Sequence, residues 1–328
     1  MAFKYVYVLV SRDGDYYAEQ TWASMWSLKH YNPDSHLTLV ADDETVSHIK
    51  NDVSRRGMLE LTDEVVSVKV PDDYSNMEKS RYLKTSLRNL VDGDFLFIDG
   101  DTLITDDLRD VTKLKCQIGA VPDGHLEKWQ DHYDFEKVSK AAREIFGITE
   151  YPSPHFNSGV IYCKDNKDTR QFYSEWHENW KFSNSKGYHF DQLSLYVTCL
   201  NHPGFMEIIS GEWNCMITVG LNYLCTAKIM HFFSASNTTF TPFKDKSTFL
   251  KIKAAGAIDN EMQELILNCK HNFTGPILIK NKREMAFDLT PARNLCFKFY
   301  AQGGSMWKVL NKISAWVLGG INRRKKHS

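Results

Sequence analysis

The chain has 328 residues, with 40 Lys and Arg against 41 Asp and Glu, and a net charge of −1. Its 42% hydrophobic and 25% charged residues are the composition of an ordinary globular protein, long enough for one large α/β domain with appendages. The balanced charge supplies no field that would draw the chain onto nucleic acid, so no nucleic-acid partner is expected. Seven irregularly spaced cysteines without a CxxC pair point to buried reduced thiols, not a zinc cluster or disulfide framework, and so to a cytoplasmic setting. No signal-peptide pattern precedes the first strand-like run, and no stretch approaches the roughly 20 apolar residues of a membrane-spanning helix.

Taken in chain order, the first hundred residues alternate strand and helix patterns. Tyr5–Val10 is an apolar run closed by the turn cluster Ser11-Arg12-Asp13-Gly14-Asp15. Residues 17–30 read as a helix, 37–40 as a short strand, 43–56 as a polar helix and 64–70 as a third strand closed by Pro71. Residues 78–90 form a helix with Tyr82, Leu83 and Leu87 as its apolar stripe, and 94–98 a fourth strand. Repeated βα units predict a mainly parallel sheet with helices on both faces. Further on, 117–121 and 159–163 read as strands, 136–146, 169–180 and 190–200 as helices, and 228–233 as a β-like run carrying His231.

The most informative stretch is Phe95-Leu96-Phe97-Ile98-Asp99-Gly100-Asp101-Thr102-Leu103-Ile104. A buried strand delivers two carboxylates to the edge of a sheet, where ligands of open α/β proteins bind. Two hard oxygen ligands held close together suit Mg²⁺ or Mn²⁺ beside a phosphate, and Gly100 leaves room for close approach. An Asp-x-Asp turn is an equally good account of the tripeptide alone. Three other segments bear on the choice. Lys79-Ser80-Arg81-Tyr82-Leu83-Lys84 opens the helix before the acidic strand, where a cation could balance a diphosphate or hold a carboxylate. Asn157-Ser158-Gly159 enters an apolar strand, and Asp191-Gln192 starts a helix. His231 sits in an apolar strand, and imidazole is a good third ligand beside two carboxylates. Each has a plain structural alternative: a solvated helix face, a turn, an N-cap, a core histidine.

The order of these segments resembles glycosyltransferase family 8, retaining enzymes of the GT-A fold, from about Tyr5 to about Phe233. The chain pattern and the resemblance together give a single Rossmann-like GT-A nucleotide-binding domain over residues 1–240, and the pattern beyond it a C-terminal extension over 241–304 and a tail over 305–328. The resemblance implies that Asp99, Asp101 and His231 bind Mn²⁺ or Mg²⁺, and that Asp101 spans metal and donor. Arg81 and Gly100 would face the donor, Asn157, Ser158 and Gly159 would line its pocket, and Val10 and Ser11 would lie against uridine. Asp191 would orient the donor sugar, with Gln192 at the reacting face of the anomeric carbon and Asp123 approaching the donor or acceptor sugar. The implied activity is transfer of a hexose, glucose or galactose, from a UDP-sugar to a glycan or lipid-linked acceptor with retention, in surface polysaccharide synthesis. One departure stands out: the family's Gly three residues and Lys six residues after the histidine are here Ser234 and Asn237. Lys244 or Lys246 could replace the missing cation, and a non-catalytic nucleotide-sugar-binding module is the alternative. A sugar nucleotidyltransferase fits less well, because the loop after the first strand is acidic and poor in glycine. In the tail, Met306, Trp307, Leu310, Ile313, Trp316, Val317 and Ile321 recur at helical spacing before Arg323-Arg324-Lys325-Lys326. That pattern predicts an amphipathic helix on an anionic membrane surface, making the enzyme peripheral to the cytoplasmic face; a helix packed on the domain with a solvated basic end is the alternative.

Overall fold

The computed structural model describes residues 3–132, 134–152, 154–233, 241–272, 309 and 312–313. It divides into two compact units, Met1–Ile277 and Leu278–Ser328. In the first unit β1 (Lys4–Leu9), α1 (Tyr17–Tyr31), β2 (His36–Asp42), α2 (Asp43–Asn51), β3 (Glu64–Val68), α3 (Asn76–Leu90) and β4 (Phe95–Ile98) follow the expected βα alternation. Then come β5 (Thr102–Ile104), β6 (Ile118–Pro122), α4 (Phe135–Phe146), β7 (Phe156–Cys163), α5 (Lys167–Ser185), α6 (Asp191–Asn201), β8 (Met206–Ile208), β9 (Cys215–Met216), β10 (Ile229–His231), α7 (Lys246–Ala255) and α8 (Asn260–Leu267).

Seven strands form one sheet in the order β3-β2-β1-β4-β7-β6-β8. All run parallel except β7, which is antiparallel to both β4 and β6. The alternation of β4 shows how the two faces are filled. Leu96 and Ile98 join the core beneath α1, α7 and α8, whereas Phe95 and Phe97 join the core beneath α3 and α5. Both faces are therefore covered, as a mainly parallel sheet requires. A second sheet of three short strands, β5-β10-β9, lies past the end of β4. These strands are two or three residues long and carry no alternation that a sequence pattern could reveal.

The structure differs from expectation between residues 43 and 56. The helix ends at Asn51, where Asp52 accepts hydrogen bonds from the Ser54 amide (2.8 Å) and hydroxyl (2.7 Å). That Asx turn swings Arg55 inward, where its guanidinium donates to buried Glu19 at 2.6 Å. Residues 241–272, expected as an extension, hold α7 and α8, whose Phe249, Ile252, Met262 and Ile266 belong to the same core as α1. Ser234 and Asn237 lie outside the described residues. So does the tail over 305–328, apart from the helical residues Val309, Lys312 and Ile313. Among the described residues no helix is long and apolar enough to cross a membrane.

Candidate active site

The site is built where β4 runs out. After four fully buried residues the Asp99 amide still donates to the Gly159 carbonyl (2.7 Å), and the chain then turns through Gly100 into β5. Pairing between β5 and β10 sets His231 opposite Thr102, and the Phe232 amide donates to the Asp101 carbonyl at 3.0 Å. One strand end and one cross-strand register thus bring Asp99, Asp101 and His231 together, with a ligand atom from each within 4.8 Å of the others.

The chemistry of this donor set fits a divalent ion. His231 Nδ1 lies 2.9 Å from the Asn214 side-chain oxygen, which can only accept, so Nδ1 carries the proton of that bond. Nε2 then faces Asp101 Oδ1 at 3.2 Å. Two electron-rich atoms meeting this way need a positive charge on or between them, either a second ring proton or a cation. Oxygen, oxygen and imidazole nitrogen are also ligands that Mn²⁺ and Mg²⁺ accept. The carboxylates are pushed apart in acidity. Burial and the neighbouring Asp101 raise the pKa of Asp99. Burial acts upward on Asp101 too, but the charge and hydrogen bond of His231 outweigh it and hold the group below its ordinary value.

A second cluster adjoins the first. Asp191, the first residue of α6, is buried, accepts from the Ser158 hydroxyl at 2.7 Å and pairs with Arg81 Nε at 2.9 Å. The ammonium of Lys84 lies 3.5 Å from Asp191 and 3.0 Å from Asp99. Arg81 and Lys84 stand one turn apart on α3, so both reach the same edge of the sheet. Burial alone would raise the Asp191 pKa, yet Lys84 and Arg81 bring it down to about 2.

A third feature was not legible in the sequence. From His231 a line of hydrogen bonds runs through Asn214, whose Nδ2 donates to Asn157 Oδ1 (2.9 Å), and on to Asp123, which accepts from Asn157 Nδ2 (3.0 Å). The other Asp123 oxygen accepts from Gln192 Nε2 at 3.1 Å, and His132 and His155 lie 3.3 and 3.8 Å away. Burial opposes ionisation of Asp123, but hydrogen bonding and charge from His132, with His155 and Asn157 behind it, hold its pKa far below the ordinary value. Asp123 and Gln192 are thereby tied to the same network as His231.

The antiparallel course of β7 explains why its beginning belongs to the site. Its first residues lie at the same edge of the sheet as the last residues of β4 and β6, with Phe156 opposite Pro122. The strand starts three residues earlier than its expected beginning at Gly159, so Asn157 and Ser158 are buried strand residues and not an exposed turn. The glycines have reasons of their own. A Cβ on Gly100 would collide with the Thr21 hydroxyl of α1, and one on Gly159 with the His231 ring. Both are demanded by protein neighbours, a reason the sequence reading, which invoked ligand approach at Gly100, did not give. Val10 and Ser11 follow β1 at the same edge and are buried. Ser11 is committed within its own loop, its amide donating to Thr45 Oγ1 (3.0 Å) and its hydroxyl to Asp15 (2.6 Å). Lys244 is buried, and its ammonium donates to the Phe233 carbonyl at 3.1 Å. Burial lowers its pKa, with the charge of Asp101 acting against that shift. Lys246 instead stands over the Tyr16 ring, 5.7 Å from its centre.

The family description "Glycosyl transferase family 8" matches residues 14–238, more than half of the chain. The chain belongs to glycosyltransferase family 8. No curated protein matches it significantly. Among solved structures, this glycosyltransferase is similar to the galactosyltransferase LgtC, solved with donor and acceptor sugar analogues. The identity is 15% and the TM-score 0.50, covering 80% of this chain and 99% of LgtC. It is also similar to WbbM, a bifunctional glycosyltransferase, at 14% identity and a TM-score of 0.53, covering 80% of this chain and 51% of WbbM. These likenesses establish the GT-A fold of the glycosyltransferase. Lys84, His132 and Asn214 are site residues that sequence reasoning did not single out. Lys84 left one signal, its three-residue spacing from Arg81 on a predicted helix. Asn214 left none, since it reaches the site only through the pairing of β9 and β10.

Proposed function

We propose that this glycosyltransferase transfers a hexose, glucose or galactose, from a UDP-sugar to a glycan or glycolipid acceptor with retention, in surface polysaccharide synthesis, using a divalent ion. The observation that carries the reading is the convergence of the Asp99–Asp101–His231 triad with the Arg81–Lys84–Asp191 cluster at one sheet edge. In this reading Asp99, Asp101 and His231 hold Mn²⁺ or Mg²⁺, which neutralises charge on the departing diphosphate when bound. Lys244, buried next to the triad, is the residue best placed to supply the cation missing at Asn237. Asp191, fixed by Arg81, Lys84 and Ser158, accepts hydrogen bonds from donor-sugar hydroxyls. Gln192, held by Asp123, presents a neutral amide to the anomeric centre. The carboxylates next to Gln192 are already engaged, Asp191 in ion pairs and Asp123 in hydrogen bonds. That supports a same-face displacement over a covalent glycosyl-enzyme. The basic, Trp-bearing tail would hold the enzyme at an anionic membrane surface near a lipid-linked acceptor. Deleting residues 305–328 is expected to release the protein from anionic liposomes.

The deciding experiment is slow hydrolysis of a panel of UDP-sugars, with Mn²⁺ and with chelator, on the wild type and Asp101→Asn. Metal-dependent UDP release from one donor, reduced at least a hundredfold in the variant, is the expected result. Binding of UDP with Mn²⁺ but no release from any donor, with or without acceptor glycans, would mark a nucleotide-sugar-binding module instead.

A further inference from the structure

Besides helping to fix Asp191, Lys84 covers Asp99, a contact that the proposed transfer reaction does not itself require. Its side chain is 3% exposed, and its ammonium lies 3.2 and 3.0 Å from the two oxygens of Asp99 and 3.5 Å from Asp191 Oδ2. Behind it, the Phe97 ring centre is 5.0 Å away. The ammonium is therefore held between an aromatic face and two carboxylates, almost wholly out of water. The oxygens it covers are those that Asp99 would offer to a divalent ion.

We propose that Lys84 is a positioning residue that lowers the metal affinity of the triad by competing for Asp99, and in doing so couples the metal site to Asp191. The inference rests on the reading of the triad as a divalent-cation site. Two cations cannot share both oxygens of one carboxylate without repelling each other in a site of reduced dielectric constant. A divalent ion entering the triad must pull Asp99 partly away from Lys84, and the ammonium then leans on its remaining partner, Asp191. Metal entry so tightens the grip on the carboxylate assigned to the donor sugar. Arg81 contributes a second positive charge to Asp191 but is not paired with Asp99, so only Lys84 among the described cations bridges the two acids. This makes a prediction of unusual sign. If Lys84 were merely a structural brace for Asp99, its loss would loosen the ligand set and weaken metal binding. If it competes, its loss strengthens metal binding while impairing use of the donor.

The test is calorimetric titration of Mn²⁺ alone into the wild type, Lys84→Met and the charge-balanced pair Lys84→Met/Asp191→Asn, with circular dichroism to verify folding. The pair removes one positive and one negative charge together, so it leaves no uncompensated Asp191 and keeps the test available where the single variant fails to fold. Both variants are expected to bind Mn²⁺ at least tenfold more tightly than the wild type. The single variant is also expected to show a raised donor KM in UDP-sugar hydrolysis. Unchanged or weaker Mn²⁺ binding in the folded variants would overturn the role of Lys84. Failure of the wild type to bind Mn²⁺ at all would overturn the metal-site reading beneath it, and the two failures are distinguished by the wild-type titration.

Discussion

Two glycines carry unusual weight, because each is a place where the backbone of one element touches a side chain of another. Gly159 lets the His231 ring lie directly against β7. Gly159→Ala is expected to displace that ring, weakening Mn²⁺ binding more than tenfold and costing about 1–3 kcal/mol of stability through overpacking. Calorimetry and denaturant melts read the two effects separately. His155 makes a different prediction. It is buried against the Trp129 ring at 4.7 Å, neither ring nitrogen has a hydrogen-bond partner, and burial drives its pKa down to about 4 although Asp123 pulls the other way. The unfolded chain takes up a proton on this histidine near pH 6.5, the folded chain only near 4, so acidification across that window favours unfolding. His155→Gln should reduce the stability lost between pH 7 and 4 by about 3 kcal/mol. An undiminished loss would show that other groups dominate the acid transition. At this scale the sequence discloses chemistry but not company. Asp99 and Asp101 are legible because their spacing is local, whereas Asn157 and Gln192, which donate to Asp123, are 34 and 69 residues away from it and no sequence window joins them.

Among the elements, α3 positions both cations that hold Asp191. Its N-terminus is fixed by a capping box in which Ser75 accepts from the Glu78 amide and Glu78 accepts from the Ser75 amide. Ser75→Ala is expected to cost about 1 kcal/mol in thermal or denaturant unfolding. Since Arg81 and Lys84 lie on the second and third turns, fraying of the first turn is also expected to raise the donor KM. The longer elements were readable from periodicity, because each buries one face against a continuous core. The short strands β5, β8 and β9 were not, since pairing with distant partners creates them. The direction of β7 was equally hidden. Nothing in Asn157-Ser158-Gly159 says which way the strand runs, yet its antiparallel course alone puts these residues at the edge occupied by Asp99 and Asp123.

For the whole molecule, the proposed metal site links ion binding to folding. A ligand bound only by the folded state at a hundred times its dissociation constant adds about 2.7 kcal/mol, which in a unit of this size corresponds to a rise of about 5–10 °C in Tm. Mn²⁺ is expected to produce that rise, EDTA to reverse it, and Asp99→Asn/Asp101→Asn to abolish it. The line of hydrogen bonds from His231 to Asp123 crosses from the small sheet to the large one, and it has a direction. Each amide turns its oxygen toward the histidine end and its nitrogen toward the acid. Dipoles laid head to tail in this way behave as a polarised filament, not as a set of interchangeable contacts. Reversing one member sets donor against donor on one side and acceptor against acceptor on the other. An isosteric Asn214→Asp change would place two acceptors face to face at Asn157, breaking the filament between the sheets. The imidazole and the distant carboxylate would then lose their knowledge of each other's orientation without either being touched.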